Sequence, residues 1–233
     1  MNDSILASID NYCERTGPEF WSEPLNAVTN LAFILAGIWG LLEIRRRNGD
    51  AFAVALAWWV IAIGIGSALF HTFANGLTIW FDVVPIATFT LALTLFNIRR
   101  WVGFGWGLSL AALVGFFAIA GAITAMLPDW IRVATNGTSG YLPALLSLAF
   151  WGLVLIWRGH PAGWYDLVAA AMLVASAFFR TIDPDICEAF PIGTHFLWHT
   201  LNGAMLAVLL ASVAWHGTPG RDARHGRQVV AGT

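Results

Sequence analysis

Three histidines, an aspartate and a serine stand inside stretches that are otherwise apolar. Ser67 and His71 lie in "GSALFH", Asp82 in "IWFDVVP", and His195 and His199 in "GTHFLWHT". Ionisable groups are costly at membrane depth and mark pathways, counter-ions or reaction sites. Residues four apart share a helix face, so His195 and His199 point the same way, and so do Ser67 and His71. Three imidazoles with a fourth position open form one arrangement of catalytic zinc, which lowers the pKa of a coordinated water to about 7. Asp82 could accept that water's proton, and Ser67 could donate a hydrogen bond to a developing oxyanion. Taken singly, each residue has a plainer reading. A pair of histidines four apart often binds nothing, a serine lets helices approach closely, and an aspartate early in a helix faces the macrodipole. The gathering of all five at one depth favours a metal site, with a proton relay or ligand counter-ion as the alternative.

Something must hold these side chains at that depth. The 233 residues are 58% hydrophobic and 11% charged, well under the roughly 25% charged content of a soluble domain. Apolar runs at 26–44, 52–73, 79–98, 104–127, 141–157, 164–181 and 195–215 each approach the ~20 residues that span a bilayer. Backbone groups in lipid must bond internally, which leaves helices or a closed barrel, and continuous apolar runs exclude the alternating pattern of barrel strands. The expected fold is an all-α bundle of seven transmembrane helices forming one unit over 1–233, with a leading segment 1–25 and a tail 217–233. The start "MNDSILASID" lacks a positive region followed by an apolar run, so no cleavable signal peptide is expected. The net charge of −2 and the absence of a basic stripe argue against nucleic acid as a partner.

The positive-inside rule gives an orientation. Arg45, Arg46, Arg47, Arg99, Arg100, Arg158, Arg221, Arg224 and Arg227 fall on one side of such a bundle, and Arg15, Arg132 and Arg180 on the other. That places the C-terminus in the cytoplasm and the N-terminus outside. The two cysteines, Cys13 and Cys187, then both lie outside, where disulfides persist. Two unrelated thiols are the alternative to a bridge. The segment "IDNYCERTGPEFWSEPLNAVTN" collects Asp10, Asn11, Glu14, Thr16, Glu19 and Glu23. These are the oxygen donors calcium takes, or simply a solvated acidic face.

In order along the chain, "CER", "EPLNAVTN", "GSALFH", "DVVP" after the aspartate at 82, and "HFLWH" resemble the alkaline ceramidases, part of a wider set of seven-helix membrane hydrolases and related receptors. The similarity runs from about Asp10 to Asn202. It implies a zinc-dependent amidase that splits the N-acyl bond of ceramide into a sphingoid base and a fatty acid. By position it implies zinc on His71, His195 and His199, a catalytic aspartate at Asp82, an active-site serine at Ser67, and a Cys13–Cys187 bridge. It also implies a calcium site, for which Glu14 and Glu23 match while Asn11 and Thr16 depart from the family's residues. Fewer carboxylates weaken calcium binding.

Two other functions fit the same residues: a non-enzymatic seven-helix receptor or channel-like protein, and a lipase cutting esters. An intact Ser67 and Asp82 beside three histidines favour the enzyme. The substrate partner is a membrane lipid, and the expected location is a bacterial inner membrane with the site toward the periplasm.

Overall fold

The computed structural model describes residues 5–217. Arg221, Arg224, Arg227 and the tail beyond Gly217 lie outside the described residues. Among those described, seven helices are long and apolar enough to cross a membrane. They are α1 (Pro24–Arg46), α2 (Ala51–Phe73), α3 (Thr78–Val102), α4 (Trp106–Ala125), α5 (Thr138–Trp157), α6 (Ala162–Asp185) and α7 (His195–His216). The seven expected spans all appear, and the chain is an integral membrane protein. Exposed Leu35, Trp80, Val114, Ile119 and Phe178 suit a surface whose solvent is lipid.

The ends differ from the apolar runs for local reasons. Pro24 sits in the first turn of α1, where its missing N–H is no loss. At Asn30 the helix is interrupted, with the Asn30 amide donating to the Ala27 and Asn26 carbonyls. Helix α2 starts behind Asp50, whose carboxylate accepts from the Ala53 amide at 3.0 Å, a side-chain cap. Helix α3 runs past the expected residue 98 because its last six residues, Asn97–Val102, continue as a π-turn. A short helix, Asp129–Ala134, connects α4 to α5.

Packing is uneven. Helix α7 lies between α6 and α1, α1 continues onto α2, and α2 onto α3, while α5 packs on α6. Helix α4 touches α3 and α5 only lightly. The apolar window of α7 is 61% buried and that of α4 is 11% buried, so the structural centre is the helix that carries two of the histidines. Two glycines let backbones meet beside the candidate site. A Cβ on Gly66 would lie 1.9 Å from the Phe81 carbonyl oxygen, so only glycine lets α2 meet the start of α3 there. A Cβ on Gly203 would lie 2.6 Å from the Ala32 side chain, which fixes how closely α7 rests on α1.

Candidate metal centre

His71 is in the last turn of α2, and His195 and His199 occupy the first two turns of α7. All three are almost fully buried, at 1%, 2% and 1% exposure. One ring nitrogen from each lies within 4.8 Å of the others, a group able to hold a metal ion. Their remaining bonds fit that use. His71 Nε2, His195 Nδ1 and His199 Nε2 are buried without a hydrogen-bond partner among the described residues, although buried polar atoms are normally paired. The opposite nitrogens of two rings are held: His71 Nδ1 lies 2.6 Å from Glu23 Oε2, and His199 Nδ1 lies 3.0 Å from Thr29 Oγ1. Partners of this kind fix the tautomer and orientation of ligating histidines. Tyr12 stacks on His195 with ring centroids 3.6 Å apart, covering the third imidazole. The donor set therefore suits zinc, with three imidazole nitrogens from two rigid helices.

Ser67 and Asp82 meet where the Gly66 contact brings α2 against α3. The Ser67 hydroxyl lies against the Asp82 carboxylate, and His71 and Arg180 face it. Ser67 is buried, at 3% exposure. All five residues singled out by spacing thus stand at one end of the bundle.

The N-terminal segment closes over that end. Ser8 pairs with Asn75 in the α2–α3 turn. Cys13 and Cys187 are joined in a disulfide. Beside it the buried Asp183 carboxylate accepts from the Cys13 amide at 3.1 Å and from the Thr194 and His195 amides at 2.5 and 2.8 Å. One carboxylate therefore caps α7 and ties the segment to it. Of the four expected calcium ligands, Asn11 and Thr16 are exposed. Glu14 accepts from the Leu25 and Asn26 amides at 2.6 and 2.8 Å. Glu23, at 1% exposure, is bound by Arg15 and His71. Burial works to raise the Glu23 carboxyl, but the His71 and Arg15 contacts outweigh it and hold the group below its ordinary range.

Two features did not show in the sequence pattern. Arg180 has its guanidinium over the rings of Tyr12, Tyr141 and Trp198, at 6.0, 5.5 and 5.8 Å. It also donates to Thr138 Oγ1 at 2.7 Å. The sequence offered only its charge, which entered the orientation count. Second, an apolar cavity of about 70 Å³ runs along α7 from Trp198 to Leu209, walled by Phe33, Phe89 and Tyr141. At its far end Asn97 donates to Asp166 Oδ2 at 2.8 Å.

The fold and this centre define an integral membrane protein with a buried, metal-competent triad of histidines. The family described as Ceramidase matches residues 6–158, well over half of the chain, and the chain belongs to that family. It is accordingly a hydrolase of the class that acts on the amide bond of ceramide. No curated protein matches the chain. His195, His199 and Cys187 lie beyond the matched residues, and it is the fold that brings them to His71 and Cys13.

Proposed function

We propose that the chain is a zinc-dependent amidase of a ceramide-like lipid, with His71, His195 and His199 holding the metal. The observation that carries this reading is the convergence of three buried imidazoles with unpartnered nitrogens in a member of a ceramide-hydrolysing family. Bound zinc would supply Lewis acidity at the scissile carbonyl and acidify water. Asp82 takes the proton from the attacking water and returns it to the amide nitrogen as the C–N bond breaks. Ser67, which lies against Asp82, turns its one hydroxyl proton toward the oxygen that gains negative charge. The products are a sphingoid base and a fatty acid.

The arginine distribution supports an N-terminus outside and a cytoplasmic C-terminus. With that orientation the site opens on the periplasmic side of a bacterial inner membrane, and residues 1–233 act as one unit. Incubating purified protein with a panel of N-acyl and O-acyl lipids, followed by lipid mass spectrometry, tests the reading. Release of sphingoid base from ceramides is expected. Cleavage confined to O-acyl lipids would replace the amidase by an esterase.

A further inference from the structure

Arg15 is the most interior positive charge of the N-terminal segment, and its surroundings are those of a bound cation. Its side chain is 1% exposed. Nε donates to Glu23 Oε1, Nη1 to the Gly17 carbonyl at 2.9 Å, and Nη2 to the His71 carbonyl at 3.2 Å. The other Glu23 oxygen lies 2.6 Å from His71 Nδ1 and accepts from the Asn26 side chain at 3.2 Å. Arg15 thus grips His71 twice, directly at its backbone and through Glu23 at its ring.

Calcium requires six to eight oxygen ligands. Here the Glu14 and Glu23 carboxylates and the Gly17 and His71 carbonyls already accept hydrogen bonds, while Asn11 and Thr16 are exposed. A carboxylate oxygen and two carbonyls take the guanidinium, and both Glu14 oxygens take backbone amides. A divalent ion placed among them would also meet the buried positive charge of Arg15 at close range, where repulsion is poorly screened. The residues expected to bind calcium do not fit it.

We infer that Arg15 is the built-in cation of this segment, holding Glu23 and through it His71 in the position zinc requires, so that the protein is indifferent to calcium. Arg15 is a positioning residue, since it reaches the metal centre only through Glu23 and the His71 backbone. A planar fork with five N–H groups suits a carboxylate and two carbonyls at once, whereas a lysine ammonium would supply the charge without the fork.

The test uses the full chain purified in calcium-free detergent and loaded with zinc or with cobalt. Melting is followed across a calcium titration for the wild type, Arg15→Ala and Arg15→Lys, and the visible spectrum of the cobalt form is recorded for each. The wild-type melting temperature should not move with calcium. Arg15→Ala should melt lower by on the order of 10 °C, because it removes the guanidinium that pairs with a buried carboxylate and leaves Glu23 Oε1 without its donor. It should also release cobalt more readily and show an altered spectrum, and Arg15→Lys should recover part of each change. A saturable calcium-dependent rise in the wild-type melting temperature would overturn the inference. So would an Arg15→Ala protein with wild-type melting and spectrum. If Arg15→Ala does not accumulate folded, the wild-type titration and the lysine variant decide the matter. The cobalt readout rests on the three-histidine site proposed above, but the calcium readout does not, and neither depends on turnover. Failure of this inference is therefore separable from failure of the amidase reading.

Discussion

At the end of the bundle that carries the N-terminal segment, His71, His195 and His199 bring one ring nitrogen each within 4.8 Å of the others, and each ring has a buried nitrogen without a partner among the described residues. At the opposite end, Asn97 and Asp166 share one hydrogen bond, and each also has an oxygen, Oδ1, without a partner among the described residues. Both sets are buried polar groups in an apolar bundle, yet they differ in construction. The histidines are backed by further contacts: Glu23 behind His71, Arg15 behind Glu23, Thr29 behind His199 and Tyr12 over His195. The Asn97–Asp166 pair ties α3 to α6, and among the described residues it belongs to no group of three metal-ligating side chains. An unsatisfied buried atom therefore points to a ligand only when others converge with it and their far sides are held. Otherwise it belongs to a contact that sets how two helices meet.

The largest effect that separates the two ends should come from His195→Ala. Elemental analysis should show near-stoichiometric zinc in the wild type and its loss in this variant, and full retention of zinc would remove the histidines from metal binding. Next comes Asp82→Asn, which keeps the side-chain shape and cannot take up the proton. Turnover per bound zinc should fall by roughly 10²–10⁴-fold, the usual contribution of general acid–base catalysis. If Asp82 only stabilises the start of α3, the melting temperature will drop and turnover per zinc will not. Ser67→Ala should slow hydrolysis by about 10²-fold through loss of an oxyanion donor, measured in the same assay at equal zinc content. The smallest effect belongs to the other end. Asp166→Ala leaves the Asn97 amide without its acceptor and should lower stability by about 1–3 kcal/mol. Zinc content and turnover per zinc should stay near wild type. Zinc loss there would mean that the two ends are not independent.

Much of this arrangement is legible in the sequence because membrane spans announce themselves. The seven apolar runs mark the seven helices to within a few residues, and spacing alone places Ser67 with His71 and His195 with His199. What spacing cannot supply is contact between distant elements. That Gly66 lets α2 touch α3 and so brings Ser67 to Asp82 depends on where two backbones cross. Asp183 reads as one acidic loop residue among several, yet its carboxylate caps α7 and binds the Cys13 amide. Arg15 and Arg180 enter a sequence count only as charges on one side of a membrane. Their roles come from the carbonyls and rings around them. Nor does a list of oxygen donors reveal which are already engaged, as both Glu14 oxygens are by the Leu25 and Asn26 amides.

X-ray absorption at the zinc edge of the purified, active protein tests the central claim most directly, because it reports the atoms bound to the metal rather than the consequences of losing it. The account predicts one zinc per chain with three imidazole nitrogens at about 2.0–2.1 Å and a light-atom fourth ligand. His195→Ala, if it retains any metal, should lose one imidazole contribution from that spectrum. A first shell containing sulfur, or one in which imidazole scattering is absent, would contradict a centre built on His71, His195 and His199.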